Sequence, residues 1–406
     1  MIMSNYSLQL ILAISVAIIT YAIYAINKDF SASHSRNIAV DGWFGRGKER
    51  KDDERIAPFK ISVSEEAIQD LKFRLKNARI NYEPLEDCND FSYGFNSKYL
   101  KYVANYWLNK YNWKYHESII NTLPQFTTEI EGLKAIIVPL LILHGWPGNV
   151  FEFLKIIPLL VDPIQQIGSD ISVTFEIIAP SIPGFGWSAA PMKKGFNTEV
   201  AARIFNKLMI RLGFSRYLLQ GGDWGSNIAT NIAFYYPENV IGLHLNMALV
   251  FNWKALLYAA FGIIAPRLAY SSQTFHQRAT GALLKDMLEE TGYMHIQATK
   301  PDTIGAALND SPIGLAAYIL EKFSYGTNTT YRSLHDGGLT NRYISIPTGY
   351  AAFPEDLMKQ PEELMRTMYN ITNYTEIKAG GHFAAFEEPK LLASDIIRFV
   401  RTIQLE

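Results

Sequence analysis

The chain has 406 residues, 48% hydrophobic and 19% charged, with 38 basic against 39 acidic side chains. That balance excludes a dedicated nucleic-acid binder, which carries a basic face, and the composition excludes a disordered or collagen-like chain. The single cysteine, Cys88, excludes an intrachain disulfide and a cysteine-based zinc cluster.

Residues 1–27 contain no Asp, Glu, Lys, Arg or His, and Leu8–Ile26 is almost wholly apolar. About 20 such residues span a bilayer. A cleaved secretory signal has a basic n-region and a shorter apolar stretch. Here there is no basic n-region, and Tyr21 and Tyr24 stand where interfacial anchors stand. Residues 1–27 are therefore expected to be a transmembrane anchor. Lys28 and Arg36, partly offset by Asp29, point to a cytosolic placement of the remainder. One cysteine agrees with a reducing compartment. Sequons at Asn328, Asn370 and Asn373 matter only for a lumenal body.

Residues 28–134 form an N-terminal extension. Its first part, 28–57, is a polar linker interrupted by Asp41-Gly42-Trp43-Phe44-Gly45. That stretch reads either as a turn with an incidental hydrophobic pair or as a meander packed on the body. Ser64 as cap, Glu65 and Glu66 in a first turn, and Ile68, Leu71 and Leu75 at helical spacing predict a helix over 62–80. A second helix, rich in Tyr and Trp, is predicted over 97–116. Both read as a structural lid or clamp.

The pattern then changes. Residues 135–250 hold short apolar runs, Ala135–Leu143, Phe175–Ala179, Tyr217–Gln220 and Val240–Met247, with a helix over 198–212 and another after Gly225. Strands that alternate with helices predict a parallel sheet covered on both faces. Residues 251–338 are helix-like and interrupt the alternation as a cap. It resumes over 339–406 with strands Tyr343–Ile346 and Tyr374–Ile377 and a closing helix over 390–403.

Ligands bind beyond the carboxyl ends of strands in such sheets. Gly221-Gly222-Asp223-Trp224-Gly225 follows the third run and has the pattern of a nucleophile elbow, with Asp where hydrolases usually carry Ser. Its neighbours are small because the turn strains the central residue. The following helix N-terminus favours an ionised Asp223. His144-Gly145-Trp146-Pro147-Gly148 suits an oxyanion hole built from the backbone N–H groups of Trp146 and Trp224. Pro147 has no N–H to give, and His144 reads as a structural residue of that loop. Gly380-Gly381-His382-Phe383 lies after the last strand, where a hydrolase of this architecture carries its base. A carboxylate should orient His382, and Phe353-Pro354-Glu355-Asp356-Leu357 offers Glu355 and Asp356. A carboxylate nucleophile attacks saturated carbon and becomes an ester, which His-activated water then cleaves. That chemistry fits epoxides and alkyl halides. An epoxide also needs an acid for its oxygen. Tyr293 in Thr291-Gly292-Tyr293-Met294-His295-Ile296 is a candidate, though taken singly it reads rather as a core residue.

These motifs, with Asp41-Gly42-Trp43, Tyr93-Gly94-Phe95-Asn96, Pro180-Ser181-Ile182-Pro183-Gly184, Leu243-His244-Leu245-Asn246-Met247, Lys300-Pro301-Asp302-Thr303 and His382-Phe383-Ala384-Ala385-Phe386-Glu387, resemble the microsomal epoxide hydrolases, including insect juvenile hormone epoxide hydrolases. The resemblance runs from the anchor to the C-terminus. It implies an α/β-hydrolase fold with a helical cap, hydrolysis of lipophilic epoxides to vicinal diols, and no cofactor, metal or nucleic-acid partner. It further implies Asp223 as nucleophile, His382 as base, Tyr293 as the epoxide-polarising acid, and an anchor in the endoplasmic reticulum membrane with a cytosolic body. Matching the Phe353-Pro354 and Leu357 frame puts the orienting acid at Asp356, where the family usually has Glu, with Glu355 as the alternative.

There are two apparent internal deletions. The family carries a second cap tyrosine between a Gly-Gly-Leu and a Pro-Thr-Gly segment. Here Gly337-Gly338-Leu339 and Pro347-Thr348-Gly349 are separated by seven residues, and neither Tyr331 nor Tyr343 is assigned the role. Between Gly132 and Pro139 a hairpin of the family's sheet is expected to be truncated. These gaps predict a wider pocket and slower epoxide opening. A missing exon in the coding sequence predicts the same gaps, and a longer transcript across Leu339–Pro347 would discard the weakened-enzyme reading. The competing functions are a membrane-anchored, weakly active or non-catalytic binder of lipophilic ligands and, less favoured, a haloalkane dehalogenase.

Overall fold

The computed structural model describes residues 38–80, 86, 91, 94–131, 133–138, 141–162, 174–250, 252–271, 291–327, 343–357 and 359–403. The expected anchor over 1–27 and residues 339–342 of the segment joining Leu339 to Pro347 lie outside them. No helix among the described residues is long and apolar enough to cross a membrane.

The extension begins with strand β1 (Ala57–Phe59) and helix α1 (Glu65–Lys76), where Ser64 Oγ accepts the Ala67 N–H at 3.2 Å. The stretch expected to be one helix over 97–116 is two, α2 (Ser97–Asn109) and α3 (Trp113–Ile120). Asn112 separates them, because its side chain caps the Tyr115 N–H at 3.2 Å and so starts a new helix.

The apolar run Ala135–Leu143 is not one strand. Strands β2 (Gln125–Ile130) and β3 (Leu133–Val138) form a tight antiparallel hairpin closed by the Ile130–Leu133 pair. Glu131 in the turn has φ +55°. The hairpin consumes residues up to Val138, so only Ile142–Leu143 remains as β4, paired in parallel with Gln220–Gly221. Strand β5 (Ala179–Pro180) completes the antiparallel sheet, ordered β1-β2-β3-β5.

The parallel sheet holds β4, β6 (Tyr217–Gly221), β7 (Val240–Leu245), β8 (Ile344–Ala352) and β9 (Tyr369–Glu376), in that spatial order. Both late strands are longer than their apolar runs. Side chains alternate between faces at period two. Tyr350 and Ala352 enter the core under α4 (Thr198–Arg211) and α5 (Asp223–Tyr235). Ala351 and Phe353 enter the opposite core with Leu392, Ile396 and Ile397 of α10 (Pro389–Thr402).

Between β7 and β8 the cap contributes α6 (Trp253–Ile264), α7 (Gly292–Thr299), α8 (Pro301–Asp310) and α9 (Pro312–Thr327). Ile313 of α9 is buried against Leu75 of α1 and Leu100 of α2. Arg74 donates to the Asp310 carbonyl at 2.8 Å. The N-terminal helices therefore brace the cap rather than enter the chemistry.

The Asp41–Gly45 stretch is a packed meander, which settles its two readings. The Phe44 N–H donates to the Glu131 carbonyl at 2.9 Å, and the Phe44 ring meets Phe196 edge-on at 5.6 Å. Beneath it, Arg203 and Glu131 form a buried ion pair at 2.7 Å, and Lys207 bonds Asp41.

Candidate active site

The site is built where β4, β6, β8 and β9 end. Asp223 has φ +49°, in the left-handed region that a residue with a side chain rarely occupies. Two glycines make room for this turn. A Cβ on Gly145 would overlap the Asp223 carboxyl, and one on Gly225 would overlap the Leu143 carbonyl. Helix α5 starts at Asp223 itself, so the carboxylate stands at the positive end of the helix.

The Trp146 N–H donates to Asp223 Oδ1 at 2.8 Å, and the Trp224 N–H also bonds the carboxylate. The loop after β4 and the turn after β6 thus bring both expected oxyanion-hole donors to one oxygen-bearing centre. Burial favours the neutral acid at Asp223. The hydrogen bond and charge of His382, with the Trp224 and Trp146 N–H groups, outweigh it and hold the carboxyl below its ordinary value.

His382 bridges two carboxylates. Nε2 lies 3.3 Å from Asp223 Oδ2, and Nδ1 lies 3.1 Å from Asp356 Oδ1. Asp356 is buried at 3% exposure, so its charge acts on the imidazole with little screening. Glu355 is only partly buried, and its backbone bridges to Gly381, with its N–H donating to the Gly380 carbonyl at 3.2 Å. That bridge docks the Phe353–Asp356 turn on the His382 loop and leaves Asp356, not Glu355, facing the imidazole. Burial lowers the His382 pKa, but the bonds and charges of Asp223 and Asp356 prevail and raise it to about 10.

His144 is buried and bonds outward, not to the reacting groups. Its Nδ1 lies 3.0 Å from the Gly145 carbonyl, and its Nε2 accepts the Ile182 N–H at 3.1 Å. Burial drops its pKa to about 4, so it is neutral and ties the Gly145 loop to the Pro180–Gly184 loop.

Tyr293, on α7, stacks on the Trp146 indole with centroids 4.7 Å apart, and Lys322 Nζ lies 5.0 Å from its ring. It is half-buried over the site rather than in the core. The structure also places residues to which the sequence analysis gave no role. Tyr318 of α9 meets the same indole edge-on at 5.9 Å, and Gln297 donates to its hydroxyl at 3.3 Å. Glu152 lines the cavity beside Asp223 and His382. Glu387 Oε1 accepts the Phe383 N–H at 3.1 Å and fixes the His382 loop. Nothing in local spacing points to Tyr318 or Glu152, because each reaches the site from an element remote from Asp223 and His382, whereas Glu387 closes the motif that begins at His382. Among the described residues, no group of three or more His, Cys, Asp or Glu is arranged to hold a metal ion.

The arrangement matches known proteins. A family described as epoxide hydrolase N terminus matches residues 56–153, and one described as alpha/beta hydrolase fold matches residues 138–389. Epoxide hydrolase 1 of Oryctolagus cuniculus is 43% identical over 430 aligned residues, covering 90% of this chain and 93% of that protein. The chain belongs to the microsomal epoxide hydrolase family. Juvenile hormone epoxide hydrolase 2 of Ctenocephalides felis is 37% identical, covering 93% of this chain and 92% of that protein. The crystal structure of the juvenile hormone epoxide hydrolase of Bombyx mori superposes with a TM-score of 0.82 at 35% identity, covering 90% of this chain and 98% of that one. The fold is accordingly an α/β-hydrolase fold, and the chain is an epoxide hydrolase. The 430 aligned positions exceed the chain's full 406 residues, so the rabbit relative carries residues that this hydrolase lacks.

Proposed function

We propose that this epoxide hydrolase turns lipophilic epoxides into vicinal diols through an ester on Asp223. The observation that carries the reading is the bridge of His382 between Asp223 and Asp356, with the Trp146 N–H on Asp223 Oδ1. Oδ2 of Asp223 attacks an epoxide carbon, the C–O bond breaks, and its electron pair leaves on the epoxide oxygen. Tyr293 gives its hydroxyl proton to that oxygen. The Lys322 cation near the Tyr293 ring favours the phenolate that forms. Esterification removes the Asp223 charge that kept His382 protonated. The imidazolium then yields its proton to the phenolate through solvent and becomes the base for the second step. Water adds to the ester carbonyl, Oδ1 carries the developing charge under the Trp146 and Trp224 N–H groups, and the diol leaves.

One turnover in H₂¹⁸O tests this. The first diol formed should carry no label, because its new oxygen comes from Asp223, and label should enter Asp223 instead. Tyr293→Phe should slow formation of the ester about 10²-fold or more and leave its hydrolysis alone. Label in the first diol would overturn the ester route, and an unslowed Tyr293→Phe would overturn the acid assignment.

We further propose that residues 1–27 anchor the enzyme in the endoplasmic reticulum membrane with the catalytic body cytosolic. The support is the charge-free first 27 residues and Lys28 and Arg36 behind them. The full chain should stay with microsomes after alkaline carbonate washing, and protease added outside intact microsomes should digest the body. Release by carbonate, or protection from protease, contradicts the placement.

A further inference from the structure

A small cavity adjoins the catalytic carboxylate. It is lined by Gly145, Gly148, Glu152, Asp223 and His382 among others, and has a volume of about 20 Å³. That is room for one water molecule and no organic substrate. One of its walls is an acid that the steps above leave unused. Glu152 lies in the 3₁₀ turn Val150–Leu154, in the same loop that supplies the Trp146 N–H. Its carboxyl rests on Gly148, where a Cβ would overlap Oε1, and the Asn149 N–H bonds that carboxyl. The absence of a side chain at position 148 thus brings the Glu152 acid up to the cavity.

Building on the Asp223-ester reading, we propose that this cavity is the site of the hydrolytic water and that Glu152 is the second hydrogen-bond partner of that water beside His382. A bound water needs at least two polar partners, and these two residues supply them from different elements. The water donates one O–H to His382 Nε2 and the other to a Glu152 carboxyl oxygen. Its oxygen attacks Cγ of the esterified Asp223 while the first proton passes to Nε2. The carbonyl electron pair moves onto Oδ1. Collapse then breaks the Cγ–Oδ2 bond, and the departing diol oxygen takes the proton from His382. Asp223 emerges as the free acid with one oxygen from water and passes its remaining proton to His382 Nε2, which restores the resting carboxylate and imidazolium.

The charges around Glu152 fit this task. Burial above all, with Asp223 and Glu387, raises its pKa to about 8 against the opposing effect of His382 and the Asn149 N–H. At neutral pH it is an uncharged acceptor. His382 already faces Asp223, Asp356 and Glu387. A further anion beside it would keep it protonated and useless as a base.

Rapid-quench kinetics on Glu152→Leu and Glu152→Gln, following ester formation and ester hydrolysis separately, test the proposal. The Leu variant should hydrolyse the ester about 10- to 100-fold more slowly and form it at the wild-type rate, because only the water loses its position. The Gln variant, which keeps an uncharged acceptor, should stay near wild type at pH 7. Wild-type hydrolysis in the Leu variant would overturn the proposal. So would an equal loss of both steps in both variants, which describes a residue that merely supports the loop. Absence of any Asp223 ester in the wild type overturns the underlying reading instead, so the two failures are distinguishable.

Discussion

His382→Ala yields a protein that consumes about one equivalent of a lipophilic epoxide and then stops. Alkylation needs Asp223 ionised at the N-terminus of α5, and the Trp146 and Trp224 N–H groups that favour that state do not depend on His382. Deacylation does depend on it, since no other described imidazole bonds the carboxylate. Turnover should fall on the order of 10⁴-fold, while a peptide carrying Asp223 gains the mass of the epoxide. Asp223→Ala should show neither turnover nor adduct, with the fold retained because alanine in place of Asp223 leaves the flanking glycines and α5 intact. Mass spectrometry after brief incubation reads both outcomes. An epoxide retained without any adduct describes a binding protein, and halide release from haloalkanes without diol formation describes a dehalogenase.

Asp356→Asn has the second largest expected effect, and Glu355→Gln the contrasting small one. The amide at 356 keeps the shape but removes the anion 3.1 Å from Nδ1 that fixes the imidazole's tautomer and offsets its charge. Ester hydrolysis should fall on the order of 10³–10⁴-fold. Glu355→Gln alters a side chain whose backbone, not carboxyl, does the docking, so hydrolysis should stay near wild type. The reverse result would return the role to Glu355. The same pair of anions sets a pH signature. With its pKa raised to about 10, His382 is charged in the free enzyme at neutral pH. The ion-pair stabilisation is complete below the ordinary value of 6.5 and is lost as pH rises through about 10. Imidazole NMR of the free enzyme should show no His382 titration near 6.5, and Asp356→Asn should move the titration downward. A His382 step near 6.5 in the wild type would falsify the charge-bridge account.

Much of the site is written locally. The Asp223 elbow is legible because its turn demands glycines within two residues, and the structure shows what one of them avoids, the Leu143 carbonyl at Gly225. His382 is legible from its glycine loop after the last strand. Glu355 and Asp356 are not separable that way, because adjacent residues differ only in direction, and direction is fixed by the pairing of Glu355 with the Gly380–Gly381 loop. The run Ala135–Leu143 misleads for a similar reason. A continuous apolar stretch records burial, not which sheet buries it, and here the hairpin takes its first half.

By itself, the sequence determined the alternation of strand and helix, the elbow that carries Asp223, the glycine loop that carries His382 and the charge-free start, since each depends on residues close in the chain. Only the tertiary structure decided which acid faces His382, that Tyr293 lies over Trp146, that α1 and α2 brace α9, and that Glu152 reaches the cavity beside Asp223. Each of those depends on packing between elements far apart in sequence, and local periodicity carries no information about such contacts.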